Sequence, residues 1–226
     1  MNQETKQVLS ALLAGRTYVF SLLHTLFGAE PTKEMIDAAA GEAAVQAVSI
    51  FAQDDAQAPK MLLAALDLLK TADLGVLKSE YTRLFLGPED YIAAPWESVY
   101  TSKERALFQE STLNVRLWFG RFGYVAGGYP NQPDDHICLM MDFLARTSQM
   151  AAEELAADNT KACAGILADQ KAFETEHLLN WVYQYARDMQ LCETNAFYPQ
   201  LSVAMAEFVS YDQQVIDEMT EAIENG

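Results

Sequence analysis

The chain has 226 residues, of which 50% are hydrophobic and 21% charged, a balance typical of folded proteins. Its net charge of −17 repels nucleic-acid phosphates and anionic lipids, which excludes nucleic acid as the expected partner. A basic partner fits this charge, although acidity also serves solubility alone. No apolar run approaches the roughly 20 residues of a membrane span, and no secretory signal opens the chain. We therefore expect a cytoplasmic protein, not an integral membrane protein.

Helical periodicity dominates the chain, and no segment has the pattern of a strand. The first helix is predicted to begin after Asn2 as its cap and to stop at Gly28. Alanine-rich helical segments follow, and another helix is predicted over residues 59–71. Asp73 is the expected cap of the next helix, which ends near Gly87.

Two irregular segments interrupt the helices in the middle of the chain. Residues 87–101 read GPEDYIAAPWESVYT, and residues 123–135 read GYVAGGYPNQPDD. Between them, Ser102 is predicted to cap a short helix, and Ser111 to start a longer one through Phe122. Long loops within a compact helical protein are commonly functional.

Three helices are predicted to complete the chain. Asp134 or Asp135 is the expected cap of the first, and the other two cover residues 159–189 and 199–223. The predicted fold class is all-α, with about ten helices and two long functional loops. Because neither a repeat nor a linker divides the sequence, we expect residues 1–226 to form a single domain.

The sequence gives little support for catalysis or metal binding. Asp135 and His136 are adjacent, yet neighbouring residues on a helix point about 100° apart and do not naturally form a dyad. The histidines His24, His136 and His177 are far apart in the sequence, and neither a nucleophile motif nor a phosphate-binding glycine motif occurs. The three cysteines form no CxxC pair. We expect no catalytic residue, no metal and no cofactor. Weak binding of a guanine nucleotide or of molybdopterin is left open.

Aromatic residues at spacings of four are predicted to form a core stripe within the helix over residues 159–189. The stripe contains Phe173, His177, Trp181 and Tyr185, and His177 is interpreted as a satisfied, partly buried histidine.

Three motifs occur in order along the chain: Tyr81-xx-Leu84-Phe85-x-Gly87-Pro88, Pro95-Trp96-Glu97-Ser98-Val99-Tyr100 and Pro133-x-Asp135-His136. A fourth motif, His177-Leu178-xx-Trp181, follows them. Together they resemble the TorD/DmsD family of redox-enzyme maturation chaperones. The resemblance implies a chaperone and not an enzyme. Its partners would be the twin-arginine leader and the catalytic subunit of a dimethyl-sulfoxide-reductase-type molybdoenzyme, and the leader would be held until cofactor insertion and folding are complete. The leader-binding candidates that it implies are Tyr81, Leu84, Phe85, Pro95, Trp96, Glu97, Lys103, Asp135 and His136.

The residues themselves are compatible with such a ligand. Arginine side chains require carboxylates, and several lie in or beside the irregular segments: Glu80, Glu89, Asp90, Glu97, Asp134 and Asp135. The apolar part of a leader requires a groove, which Leu84, Phe85 and Trp96 would line. We expect the two irregular segments to face each other and to line one groove. A separation of Trp96 and His136 beyond ~15 Å would contradict this.

Two alternatives remain open from the sequence. The first is a NarJ-like chaperone that acts on the mature part of a nitrate-reductase-type catalytic subunit. The second is a small hydrolase that uses Asp135 and His136. A monomer and a domain-swapped dimer are both compatible with the sequence.

Overall fold

The computed structural model describes residues 1–52, 56–87, 92–127, 132–192 and 197–225, and these residues are mainly helical. The predicted all-α class, with about ten helices, is confirmed. Within these ranges the β-type pairing consists of one isolated antiparallel bridge between Trp96 and His136. A membrane-crossing helix, which must be long and apolar, does not occur among the described residues.

Eleven α-helices are formed by the described residues, and we number them in chain order. They are α1 Gln3–Gly28, α2 Lys33–Ala39, α3 Glu42–Ser49, α4 Gln57–Asp67, α5 Leu74–Tyr81, α6 Glu97–Thr101, α7 Glu110–Arg121, α8 Ile137–Ala156, α9 Thr160–His177, α10 Val182–Leu191 and α11 Phe197–Glu224. A 3-10 turn, Leu68–Thr71, follows α4, and a π-helical turn, Thr82–Leu86, follows α5.

Local sequence signals set several helix ends as predicted. The Asn2 side chain accepts a hydrogen bond from the Thr5 amide at 2.8 Å, and α1 ends at Gly28. Likewise, the Asp73 carboxylate accepts a hydrogen bond from the Val76 amide at 2.9 Å and caps α5. These caps satisfy amide groups that have no partner inside the helix.

The structure differs from the sequence prediction at Ser102 and within residues 159–189. Ser102 does not begin a helix; it ends α6, a short helix within a segment that the sequence predicts to be irregular. The helix predicted over residues 159–189 is two helices, because the chain turns between His177 and Val182. The Trp181 indole N–H donates to the His177 carbonyl at 2.7 Å and thereby replaces a helical partner at this turn. The aromatic stripe nevertheless lies in the core, as predicted.

Helix α1 runs along α8, α8 packs on α9, and α11 packs against α4, α9 and α10. The buried hydrophobic side chains of these helices form one continuous core. Gly15 allows α1 to approach the residues after α3, because a Cβ atom at this position would lie 3.0 Å from the Phe51 ring.

A charged group lies inside this core, and we call it the closed ionic group: Arg16, Gln170, Glu174 and Asp212. Arg16 is fully buried, and its guanidinium donates to Asp212 at 2.6–3.1 Å and to the Gln170 oxygen at 2.7 Å. The Glu174 carboxyl lies 4.0 Å from the guanidinium. Burial, followed by the charge of Asp212, raises the pKa of Glu174 well above its usual range. The group thereby ties together α1, α9 and α11.

Candidate functional site

The two irregular segments meet at residues 95–97 and 135–137, which we call the loop junction. The Glu97 amide donates to the Asp135 carbonyl at 3.1 Å. In the other direction, the Ile137 amide donates to the Pro95 carbonyl at 2.9 Å.

The rings of Trp96 and His136 also meet edge to face at the loop junction, with centroids 5.0 Å apart. Both side chains are partly buried. The described parts of the two irregular segments therefore meet, as expected, with Trp96 and His136 far closer than ~15 Å. A groove lined by both segments stays a prediction.

Asp135 fastens the loop junction to α6 and to α7. One oxygen of its carboxylate accepts from the Ser98 amide at 2.7 Å, and the other accepts from the Thr112 hydroxyl at 2.8 Å. The prediction that Asp134 or Asp135 caps the following helix is wrong. Asp135 caps α6 instead, while Asp134 pairs with Arg116 at 2.5 Å.

His136 is the residue that caps α8. Its Nδ1 accepts the Cys138 amide at 3.1 Å, so the neutral ring carries its proton on Nε2. Burial, and to a lesser extent the charge of His24, lowers the pKa of His136 to about 4. Because His136 Nδ1 and the Asp135 carboxylate are both committed to other partners, they do not form the dyad that the hydrolase alternative requires.

Glu97 connects the loop junction to the end of α9. Its side chain is only 2% exposed and lies 3.0 Å from His177 Nδ1. The Asn180 amide donates to the same carboxylate at 3.2 Å. Burial raises the pKa of Glu97 above its ordinary value, and the hydrogen bond with His177 opposes that shift. His177 is thus a buried histidine with a partner, in agreement with the sequence interpretation.

The earliest motif contributes to the hydrophobic core. Tyr81, Leu84 and Phe85 are 5–7% exposed, and the Phe85 ring packs edge to face on Phe27 and Tyr198. Burial raises the pKa of Tyr81 to about 12.

The remaining predicted residues divide between the interior and the surface. Pro95 is buried, whereas Lys103 is exposed in the turn after α6. The structure therefore gathers Pro95, Trp96, Glu97, Asp135 and His136 at one place. Tyr81, Leu84 and Phe85 lie in the hydrophobic core. Contact of any of these residues with a leader stays a prediction.

The carboxylates expected beside the groove are mostly inside the protein. Glu80, Glu97, Asp134 and Asp135 are at most 6% exposed. The carboxylates of residues 89 and 90, which are also expected beside the groove, lie outside the described residues.

A cavity of about 690 Å³ adjoins the loop junction, between α7 and the end of α9, with α6 at its base. We call it the α7 cleft, and its principal lining residues are Glu97, Glu110, Leu117, Arg121, Glu176 and His177. Glu110 and Glu176 are exposed acids that the sequence reasoning missed, because no motif surrounds them. Within the described ranges, no group of three histidine, cysteine or acidic residues could hold a metal ion.

Comparisons with known proteins agree with this architecture. The sequence profile described as the nitrate reductase delta subunit matches residues 51–187. The chaperone protein TorD of Vibrio vulnificus strain YJ016 is 26% identical over 215 residues, 93% of this chain and 98% of that protein. The probable Tat proofreading chaperone DmsD of Haemophilus influenzae is 28% identical over 127 residues, 56% of this chain and 55% of its own.

A solved structure has the same fold. A redox enzyme maturation protein from Archaeoglobus fulgidus aligns over 86% of this chain and 93% of its own, with a TM-score of 0.51 and 19% identity. The fold and the ordered motifs define an all-helical maturation chaperone, not an enzyme. The chain belongs to the nitrate reductase delta subunit family, and to its TorD/DmsD chaperones.

Proposed function

We propose that this chaperone binds the twin-arginine leader of a molybdopterin-dependent oxidoreductase in the cytoplasm. It holds the leader until the cofactor is inserted and the client is folded, and export then follows. The chaperone acts by binding and covering the peptide, and no covalent step is involved.

The observation that carries this proposal is the loop junction. Two segments without regular structure are fastened to each other by paired backbone hydrogen bonds and by the Asp135 carboxylate. They present Trp96 and His136 as a partly exposed aromatic pair. An aromatic wall of this kind suits the apolar part of a peptide, and the net charge of −17 suits its arginines.

We infer that the buried motif residues support this surface from behind. The Phe85 ring contacts the Phe27 ring, and the Phe27 ring contacts that of Tyr185, with the last two ring centroids 6.3 Å apart. Tyr185 in turn contacts Tyr100 of α6, directly after the loop junction. A continuous set of aromatic rings thus connects the first motif to the second.

The test is calorimetric titration with twin-arginine leaders from several molybdoenzymes, each beside a version with both arginines changed to alanine. Hydrogen bonds to charged groups contribute about 1.5–3 kcal/mol each, so we expect loss of the arginines to weaken binding about tenfold or more. Raising the salt concentration should also weaken binding, because screening reduces the attraction between exposed charges.

Trp96→Ala tests the location of the site, with Tyr18→Ala as the control. Tyr18 is a partly buried aromatic residue of α1. We expect Trp96→Ala alone to weaken leader binding. Absence of binding to every leader by the unmodified protein would contradict the proposed function.

The family description, nitrate reductase delta subunit, favours one second candidate. In that case the chaperone would bind the mature part of a nitrate-reductase-type catalytic subunit. Deleting the leader from the client separates the two functions, because binding to the leaderless client would persist only in the second.

A further inference from the structure

The α7 cleft lies beside the loop junction but contains only one of the nine residues that the family motifs imply, namely Glu97. Glu97 directly follows Trp96 in the chain, so the cleft and the aromatic pair are lined by neighbouring residues at the start of α6. Its volume of about 690 Å³ is within the range of roughly 300–1,000 Å³ that is common for ligand sites.

The charge of the α7 cleft favours a cation. Glu97 is buried in its contact with His177. Two exposed carboxylates, from Glu110 and Glu176, line the cleft against the guanidinium of Arg121. That guanidinium lies 4.0 Å from the ring centroid of Trp118, so its charge is directed onto an aromatic face. The Trp118 indole also donates to Glu176 at 3.2 Å and holds this carboxylate at the rim.

A hydrogen-bonding group in the cleft wall also lacks a protein partner. The Ser111 hydroxyl oxygen is buried and makes no hydrogen bond with the described residues. The oxygen is closed to solvent, and a rotation of the Ser111 side chain would bring it to a ligand group in the cleft, which would satisfy it.

Exposed apolar side chains lie on α7 and just before it, and we call them the α7 ridge: Phe108, Leu113 and Leu117. Their side chains are 54%, 57% and 67% exposed. Of the three, Leu117 lines the cleft. Leu113 and Leu117 are four residues apart and therefore adjacent on one face of α7. Phe108 has a positive φ of 59°, which is rare for a bulky side chain. An apolar surface next to an acidic cleft has the two properties that a leader combines in its arginines and its apolar stretch.

We propose that the leader's two arginines enter the α7 cleft, with its apolar stretch on the α7 ridge. This inference rests on the proposed function, and it adds the α7 cleft and the α7 ridge to the aromatic pair as contacts of the leader. Successive residues of an extended peptide advance by about 3.3–3.6 Å, so adjacent arginines reach the cleft together while the following residues continue along α7.

The experiment compares leader affinities of Leu117→Ser and of the double variant Glu110→Gln with Glu176→Gln. These side chains are exposed, so the variants should fold as the unmodified protein does, which circular dichroism and thermal unfolding will check. Leu191→Ser is the matched control, because Leu191 is 71% exposed at the end of α10. The ligand is a synthetic peptide with two adjacent arginines followed by an apolar segment.

We expect Leu117→Ser to weaken binding about tenfold, the effect of losing one apolar contact of this size, and Leu191→Ser to leave it unchanged. The double variant should bind the arginine peptide and its alanine version almost equally, because the carboxylates that distinguish them are gone. Unchanged affinity in all these variants, with binding by the unmodified protein intact, overturns the α7 assignment and leaves the proposed function standing. Absence of binding by the unmodified protein overturns both.

Discussion

The closed ionic group and the loop junction both bury carboxylates, but they do so with different partners. In the closed ionic group, Asp212 is paired with the guanidinium of Arg16, and both side chains are inaccessible to solvent. At the loop junction, the Asp135 carboxylate accepts hydrogen bonds from an amide and a hydroxyl, both of which are neutral.

The difference in partners corresponds to two roles: the closed ionic group stabilises the helical bundle, and the loop junction fixes the shape of its surface. A buried ion pair is costly to break, since the remaining charge has no compensation. A carboxylate with neutral partners fixes the geometry of a loop without requiring a buried cation. We therefore expect the closed ionic group to control global stability and the loop junction to control the binding surface.

The largest effect is expected for Arg16→Met, which leaves Asp212 without its cation. Breaking a fully buried pair in this way costs about 3–5 kcal/mol in the free energy of unfolding. Urea denaturation measures this loss. The control is the double variant with Asp212→Leu, which removes both charges and should recover much of the stability. Equal instability of the single and double variants would show that packing, and not charge, dominates at this place.

A smaller effect is expected for Asp135→Asn, because the amide offers one acceptor oxygen where the carboxylate has two. The loss should be about 1–3 kcal/mol, with Thr112→Val as a milder control that removes one hydrogen bond. Leader affinity is measured alongside. If stability is unchanged while affinity falls, Asp135 contacts the leader directly, and its role is not to fix the geometry of the loop junction.

The last effect concerns His136 and is confined to pH values below about 6.5. Its folded pKa of about 4 is below the ordinary value of 6.5, so the unfolded chain takes up a proton first as the pH falls. This contribution to stability is complete above pH 6.5 and is lost as the pH decreases toward 4, by at most about 1.4 kcal/mol per pH unit. His136→Asn keeps a cap acceptor and should flatten this part of the stability profile. An unchanged profile would assign the acid sensitivity to other groups.

The sequence predicted those parts of the fold that depend on local signals. The caps Asn2 and Asp73 and the stop at Gly28 act within a few residues, so their effect can be deduced from neighbours along the chain. The break between α9 and α10 could not be deduced, because aromatic residues continue at a spacing of four through Trp181 and Tyr185. The hydrogen bond from the Trp181 indole that stabilises the turn cannot be deduced from the spacing of the aromatic residues.

The loop junction was predictable only as a meeting of segments. The motifs predicted the contact between Trp96 and His136. They did not predict that Asp135 caps α6 instead of α8, because α6 is distant from Asp135 in the sequence and the cap is seen only in the folded chain. The exposure of individual side chains could not be deduced from the sequence either. Leucines four residues apart usually indicate a core face, whereas Leu113 and Leu117 face outward.

The loop junction also closes a ring in the chain, since Ser98 and Asp135 are joined across 37 residues that include α7. Closing such a loop restricts the conformational entropy of everything between its ends. Helix α7 lies within this loop and is itself bonded to the far end of it, through Thr112 to Asp135 and through Arg116 to Asp134. We expect its amide protons to exchange with solvent as one cooperative unit, at a rate set by the joint opening of these contacts.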